Sequence, residues 1–204
     1  MTISDHVKKK TSGSAKTAFE NGFENAAASF SKFISTETSY TALHQGLHAV
    51  EDDNIHGLNI IGKSGTNFLL TTDIVGDVYG KSYLLLDASE FDALSSGVYA
   101  KEETMMDIKE EFIKELDNIL SASVITKLSN ELNLNIYGNI PTLVKPQSCC
   151  LMNIIYDDFS EDSEGIYVNA IHFCFEKYPM LTPYFVWVMD LNVFDTIESK
   201  SELS

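Results

Sequence analysis

The sequence contains no arginine, and all 14 of its basic residues are lysine. Aspartate and glutamate together number 30 in the 204 residues, so the formal net charge is -16 at pH 7. A chain with this charge repels a phosphate backbone and an anionic membrane surface. We therefore expect neither nucleic acid nor an anionic membrane as a partner, and no insertion into a membrane. The missing arginines also remove the bidentate groups that proteins use to clamp phosphate. If the protein acts on a phosphoryl group, the positive charge must come largely from its partner.

Cysteine is also scarce, with only Cys149, Cys150 and Cys174 in the chain. An odd number without framework spacing argues against a disulfide scaffold, and we interpret the three as small buried hydrophobic residues in a reducing compartment. No apolar core follows the lysines of the first ten residues, as a secretory signal would require. No run is long and apolar enough to span a bilayer. We therefore expect a cytoplasmic protein.

Apolar spacing predicts two long amphipathic helices, from Ser14 to about Glu37 and from about Glu103 to Leu132. A strand-rich region punctuated by glycine follows each helix. The predicted strands are 58–61, 68–75, 82–86, 134–144, 150–156, 166–175 and 184–194, with a short helix at 89–94. This order is an internal repeat. It predicts a single α+β domain over 1–204, with a polar tail at 1–13 and two pseudo-repeated halves at about 14–100 and 103–197.

Three polar residues of the second predicted helix lie on one narrow stripe, because Glu111, Glu115 and Asn118 are spaced i, i+4 and i+7. Ala122 continues the stripe with a small side chain. From spacing alone, a solvated polar face is the ordinary explanation, and acidic residues early in a helix also favour its macrodipole. Spacing therefore leaves both a solvated face and a functional site open.

A longer pattern adds a resemblance, since Glu115 and Asn118 are followed by Pro141 on the next predicted strand. This arrangement resembles the signature helix of the CheC/CheX/FliY phosphatases, in which an acid, two other residues, an asparagine and a distant proline follow one another. The family usually has Asp or Ser four residues before the glutamate, where this chain has Glu111. Three further segments are similar to stretches of the family: Glu115–Ser121, Lys127–Leu132 and Gly80–Asp87.

The resemblance implies a CheC-like fold and a phosphatase that hydrolyses the aspartyl phosphate of a CheY-type response regulator, in chemotaxis or related two-component signalling. It implies that Glu115 pairs with the regulator's lysine and that Asn118 orients the attacking water. Glu111 and Ala122 are then expected to contact the regulator together with Glu115, and Pro141 to be structural. The resemblance implies no cofactor or metal of the protein's own, because Mg²⁺ is expected on the regulator.

A second function remains open, namely a CheC-like binding module without turnover. Its partner would be a phosphorylated regulator, a CheD-like deamidase or a flagellar switch protein. The first half of the chain places Thr17 and Glu20 where the repeat aligns Glu115 and Asn118, and residues 1–140 contain no proline. We therefore expect the first-half site to be inactive.

Two other patterns in the sequence bear on metal binding. His44 and His48 are spaced by four residues with Glu51 nearby, which on a helix would suggest a metal site. Gln45 stands where a histidine-glutamate zinc motif needs its acid, so ordinary histidines are the preferred interpretation. The acidic stretch Asp157–Glu164 lacks the spacing of a calcium loop and is interpreted as a solvated charge run.

Overall fold

The computed structural model describes residues 3–49, 67–96, 106–144, 151–159 and 163–202. The helices in this part of the chain are α1 Ile3–Ile34, α2 Ala88–Ser96, α3 Met106–Leu132, α4 Leu151–Phe159 and α5 Asn192–Glu202. The strands are β1 Thr38–Ala49, β2 Asn67–Gly76, β3 Gly80–Asp87, β4 Ile136–Gly138, β5 Thr142–Val144, β6 Gly165–Phe175 and β7 Tyr184–Asp190. None of the described helices is long and apolar enough to cross a membrane.

The described strands form one antiparallel sheet of seven strands in the order β1-β6-β7-β3-β2-β4, with β5 also paired to β2. This order is symmetric about the central β3–β7 pair. The strands β2 and β3 of the first half occupy the same places as β6 and β7 of the second half, and β1 corresponds to the outer β4 and β5. The predicted α+β fold of two halves, each a long helix followed by antiparallel strands, is confirmed.

Helices α1 and α3 cross on one face of this sheet at a close contact. Gly22 on α1 lies so near α3 that an added Cβ would stand 3.0 Å from Cγ1 of Val124. Beside it, Nδ2 of Asn25 donates a hydrogen bond to the carbonyl oxygen of Ser123 at 2.9 Å. Asn25 and Ser123 are the positions that the sequence repeat aligns, so the two helices meet at equivalent points of the two halves.

The central strands are buried on both faces, because a second hydrophobic cluster lies on the face away from α1 and α3. Helix α4 contributes Leu151, Ile155 and Phe159 to this cluster, where they pack with residues such as Tyr83 and Val186. Strands covered on both faces are expected to be continuously apolar rather than alternating. The run Leu84-Leu85-Leu86 in β3 has this character, and all three leucines are buried.

Helix α4 corrects the sequence prediction of a strand at 150–156. Leu151, Ile155 and Phe159 recur every four residues and are buried, so the segment packs one helical stripe against the sheet. The run is short and apolar, and periodicity over so few residues does not separate a strand from a helix.

Other elements also differ from the prediction. Helix α1 begins at Ile3 rather than Ser14, so most of the expected polar tail is part of the helix. Strand β7 ends at Asp190, whose Oδ1 accepts a hydrogen bond from the backbone N–H of Asn192 at the start of α5. Strand β1 had no counterpart in the prediction. The predicted strand at 58–61 lies outside the described residues.

Candidate functional site

The four predicted site residues Glu111, Glu115, Asn118 and Ala122 all lie on α3 with exposed side chains, and we refer to them as the α3 stripe. The rest of the helix anchors them to the fold, because its other faces are largely buried. The buried apolar residues of α3 are Ile113, Leu116, Leu120, Val124, Leu128 and Leu132.

The polar side chains of the α3 stripe differ in their contacts. Glu111 accepts a hydrogen bond from Nζ of Lys114 at 2.6 Å, and this bond raises the pKa of Lys114 above its usual value. The described part of the chain supplies no hydrogen bond or ion pair to the side chain of Glu115 or Asn118. A carboxylate that can accept from a cation therefore stands one helical turn from a neutral amide that can both donate and accept. Both groups face outward.

The two remaining predicted residues shape the surroundings of this pair. Ala122 presents only a methyl group one turn beyond Asn118, so no bulky side chain of α3 obstructs an approaching surface there. Pro141 is buried in the connection between β4 and β5, the two short strands that pair with β2 and contact α3. The strand predicted at 134–144 is therefore divided into β4 and β5, and Pro141 lies between them rather than on a strand. Its structural role stays a prediction.

A buried polar connection, which we name the polar seam, joins α3 to the sheet behind the α3 stripe. The hydroxyl of Thr72 on β2 donates to Oδ2 of Asp117 at 2.7 Å, and the hydroxyls of Ser82 on β3 and Ser121 on α3 lie 2.9 Å apart. Thr72 and Ser82 are direct cross-strand partners, while Asp117 and Ser121 are one helical turn apart. These two contacts link α3 to two strands, and together they fix the rotation of α3 about its axis and its position on the sheet.

Asp117 is the member of the polar seam with unusual electrostatics. Its side chain is fully buried, and burial raises its pKa from 3.8 to about 7, while the hydrogen bond from Thr72 opposes the shift. Its Oδ1 has no hydrogen-bond partner among the described residues. Sequence reasoning missed Asp117, although one signal was present: it lies four residues after Ile113 and four before Ser121, and therefore within the buried face of the predicted helix.

The first-half counterparts lie on an exposed face of α1 but carry different chemistry. The hydroxyl of Thr17 donates to a backbone carbonyl of its own helix at 3.2 Å, and Glu20 pairs with Lys16 at 3.8 Å. Glu24 occupies the place that corresponds to Ala122 and is exposed. This surface has no amide where the second half has Asn118. The expected inactivity of the first-half site stays a prediction.

The histidine pair does not form the helical metal site that its spacing in the sequence would allow. His44 and His48 lie on β1, not on a helix, with their Nε2 atoms 2.8 Å apart, and burial followed by the charge of His48 lowers the pKa of His44. Glu51 lies outside the described residues. Among the described side chains, no group of three or more His, Cys, Asp or Glu is arranged to hold a metal ion.

The acidic stretch begins inside α4, where Asp158 has a structural function. Its carboxylate accepts from Nζ of Lys81 at 2.9 Å and from the hydroxyl of Tyr83 at 2.8 Å. These contacts tie α4 to β3. Asp158 is thus engaged within the fold, unlike the solvated charge expected from the sequence.

The fold, with its symmetric sheet and paired helices, is of the CheC/CheX/FliY type, as comparison with solved structures shows. No family model and no curated protein matches the chain by sequence. Thermotoga maritima FliY is 17% identical with a TM-score of 0.64, and the match covers 98% of this chain and 97% of that one. The FliM middle domain of Vibrio alginolyticus is 12% identical with a TM-score of 0.60, covering 91% of this chain and 98% of that one.

A third match comes from a complex. The CheX-CheY-BeF₃-Mg²⁺ structure from Borrelia burgdorferi contains a chain that is 14% identical to this one, with a TM-score of 0.51, and the match covers 83% of this chain and 95% of that one. At these identities the likeness is one of fold. The chemistry must therefore be argued from the residues of this protein.

Proposed function

We propose that this protein is a phosphatase that hydrolyses the aspartyl phosphate of a CheY-type response regulator. The observation that carries the proposal is the position of Glu115 and Asn118, which stand together on an exposed helix face without a partner among the described residues. The CheC/CheX/FliY-type fold supports it, as does the resemblance of this helix to the signature helix of those phosphatases. A structure matched by this chain contains a CheX-CheY complex.

The proposed role of Glu115 is to dock the regulator. A response regulator carries a lysine beside its phosphorylated aspartate, and the carboxylate of Glu115 would pair with that lysine across the interface. Lys114 engages Glu111 rather than Glu115, at 2.6 Å, so Glu115 keeps its charge available. A charge pair across an interface orients the two proteins and speeds their encounter.

The proposed role of Asn118 is to position a water molecule for in-line attack on phosphorus. Phosphoryl transfer depends on positioning and charge stabilisation more than on covalent assistance. An amide holds a water through its donor and acceptor without adding charge near the metal. A displacement of about 1 Å in such a group lowers the rate by roughly 100-fold. The polar seam behind α3 would supply the required rigidity.

In this proposal the regulator contributes the cations. Mg²⁺ on the regulator and its lysine would neutralise the developing charge on the phosphoryl group. The phosphatase itself needs no arginine, in keeping with the composition of the chain. Its exposed acid and amide would complement the positive groups of the regulator.

The alternative function is binding without turnover, to a phosphorylated regulator, a CheD-like deamidase or a flagellar switch protein. The matched structures support this alternative. FliM middle domains share this fold, and one of the matched structures is a FliM-SpeE complex from H. pylori. The fold is therefore compatible with an interaction surface that has no catalytic activity. The same α3 stripe would then recognise the regulator but would not position water.

The experiment that separates these functions follows the loss of phosphate from a purified, phosphorylated CheY-type regulator with and without this protein. The proposal predicts faster loss that scales with the concentration of the protein. Phosphorylation-dependent binding without faster loss would establish the binding module instead. The absence of both effects with regulators of the source organism would contradict the phosphatase proposal, and it would leave only a binding module for a partner other than a regulator.

Glu115→Ala tests the docking contact. We expect weaker binding of the phosphorylated regulator and a smaller dependence of the affinity on salt concentration, since the substitution removes one interfacial charge pair. The measurement is a binding isotherm at two ionic strengths. Asp195→Ala, which removes an exposed acid of a different helix, α5, is the matched control. Equal effects of the two substitutions would show that only overall charge matters.

A further inference from the structure

The two histidines of β1 form a close pair that the proposed phosphatase function does not use. Their Nε2 atoms lie 2.8 Å apart and their ring centroids 4.9 Å apart, at an interplanar angle of 38°. His44 and His48 are four residues apart on a strand, so their side chains project from the same face and lean toward each other over the residue between them. Both rings are partly exposed.

Gly46 makes this approach feasible. It lies midway between the two histidines, and a Cβ added to it would stand 3.2 Å from Nε2 of His44 and 3.6 Å from Nε2 of His48. Both Nε2 atoms therefore converge on the space above a residue without a side chain. Glycine is unfavourable within a strand, and a common reason for its presence is the close approach of other groups.

The residues directly opposite the pair on the neighbouring strand carry no polar side chain. The cross-strand partners of His44, Gly46 and His48 are Ala170, Val168 and Ile166 in that order, and all three are apolar. Strand β1 is the outermost strand at its end of the described sheet, so the pair is accessible from solution. The formal net charge of -16 raises the local concentration of cations around the protein.

We propose that His44 and His48 bind one divalent transition-metal ion of the Ni²⁺ or Cu²⁺ class, with water or a partner's ligands completing its coordination. The geometry indicates this class. Two imidazole nitrogens at about 2.0 Å from one ion are separated by about 2.8 Å when they occupy neighbouring positions at about 90°, and by about 3.3 Å in a tetrahedral zinc site. The 2.8 Å separation, which is also that of an N–H···N hydrogen bond, allows both nitrogens to reach one ion in the first arrangement, and imidazole is a suitable ligand for Ni²⁺ and Cu²⁺.

Calorimetric titration of the purified full chain, without an affinity tag, with NiCl₂ tests this proposal. We expect one equivalent of Ni²⁺ to bind. His44→Ala and His48→Ala should each weaken Ni²⁺ binding by at least about tenfold. Removing a residue that only hydrogen-bonds to a metal ligand already lowers metal affinity by about that factor, and removing the ligand itself should lower it at least as much. MgCl₂ should give no competition, since imidazole does not suit that ion.

Gly46→Val tests whether Ni²⁺ binding requires the close approach of the two nitrogens or only the presence of two histidines. It keeps both ligands and introduces a residue that favours strands, but its side chain occupies the space where the nitrogens converge. We expect it to weaken Ni²⁺ binding as strongly as loss of a ligand. His172→Ala, on the adjacent strand β6, should leave binding unchanged.

Two results would overturn the proposal. Wild-type affinity in the His44→Ala/His48→Ala double variant would assign the metal to other groups, since that variant retains the remaining histidines and all three cysteines. Absence of Ni²⁺ binding by the wild-type protein would show that the two imidazoles simply share a hydrogen bond. Neither result bears on the phosphatase proposal, because the pair lies on β1 and not on the α3 stripe.

Discussion

At the scale of single residues, the chemistry of the candidate site separates into exposed groups and the buried groups that hold them. Glu115 and Asn118 face outward, whereas Asp117, between them and the core, faces the sheet and accepts from Thr72 at 2.7 Å. Neighbouring residues of α3 therefore face opposite environments, solvent on one side and the sheet on the other. Burying a carboxylate without a cation is costly. The presence of Asp117 next to Asn118 therefore indicates that the polar seam positions α3.

Asp117→Asn tests the cost of this buried carboxyl group. The folded-state pKa of about 7 exceeds the value of 3.8 for the exposed group, so the unfolded chain releases this proton at lower pH than the folded protein does. The carboxyl group therefore lowers the free energy of unfolding progressively as pH rises from about 4 to about 7, by at most about 4 kcal/mol. Below that window it carries no penalty.

We expect the stability of Asp117→Asn relative to wild type to increase across the same pH window, because the amide does not ionise. Urea unfolding of both proteins at pH 4 and pH 8 measures this difference. Subtracting the wild-type values removes the contribution of the other carboxylates, which is common to both proteins. A difference in unfolding free energy that does not change between the two pH values would show that Asp117 titrates normally.

At the scale of the elements, the two long helices are anchored to the sheet in different ways. Helix α1 packs aromatic rings against β7, with Phe19 and Trp187 at 6.0 Å between centroids and Phe23 and Phe185 at 6.3 Å. Helix α3 uses the polar seam at the corresponding positions. The half with the candidate site therefore has directional hydrogen bonds where the other half has apolar packing.

The closeness of α1 and α3 leads to a prediction about Gly22. Glycine in a helix interior costs about 1 kcal/mol relative to alanine, so its presence requires a compensating contact, which the approach of Val124 supplies. Gly22→Val should lower the free energy of unfolding by roughly 1–3 kcal/mol through overpacking. Chemical denaturation measures the change.

Gly13→Ala on the same helix is the matched control, because an added Cβ there meets nothing within 4 Å. That substitution should raise the unfolding free energy by roughly 0.5–1 kcal/mol, as helix propensity alone predicts. A similar gain in Gly22→Val would show that the two helices do not require the close approach.

The elements that the sequence predicted well are those whose own residues carry a long periodic signal. Helix α3 repeats its apolar positions over many turns, and the prediction of a helix ending at Leu132 agrees with the structure. The sequence does not predict strand β1, because its residues TSYTALHQGLHA do not alternate between apolar and polar, and its pairing with β6 holds it in place. Such pairing depends on residues far away in the chain.

The candidate site likewise contains residues that the sequence predicts and residues that it does not. The α3 stripe was predictable, since Glu111 to Ala122 follow helical spacing within one segment. The polar seam was not, because Asp117 depends on Thr72, which is distant in sequence and adjacent only after the sheet forms. The short run at α4 was assigned to a strand for a related reason, as only packing against the sheet shows which period applies.

At the scale of the whole molecule, the fold is a pseudo-symmetric pair of halves with unequal surfaces. The sheet order is symmetric about β3 and β7, and the long helices cross at equivalent positions. The outward faces differ, because α3 carries Glu115, Asn118 and Ala122 where α1 carries Thr17, Glu20 and Glu24. Duplicated architecture with one chemically suitable face is expected to give one functional site.

Glu20→Ala tests this asymmetry. If only the second half acts on the regulator, the substitution should leave the rate of dephosphorylation unchanged, because Glu20 pairs with Lys16 on an exposed face and does not contribute an amide. The rate is measured at saturating and at limiting phosphorylated regulator. A loss comparable to that caused by substitutions on α3 would place a second site on α1.

Turnover of a phosphorylated CheY-type regulator by Asn118→Ala tests whether Asn118 positions the attacking water. The matched control is Asn130→Ala, which truncates another exposed asparagine of the same helix. We expect Asn118→Ala to lose about 100-fold or more in rate while still binding the phosphorylated regulator, and Asn130→Ala to behave as wild type. Wild-type turnover by Asn118→Ala would show that Asn118 does not position the attacking water.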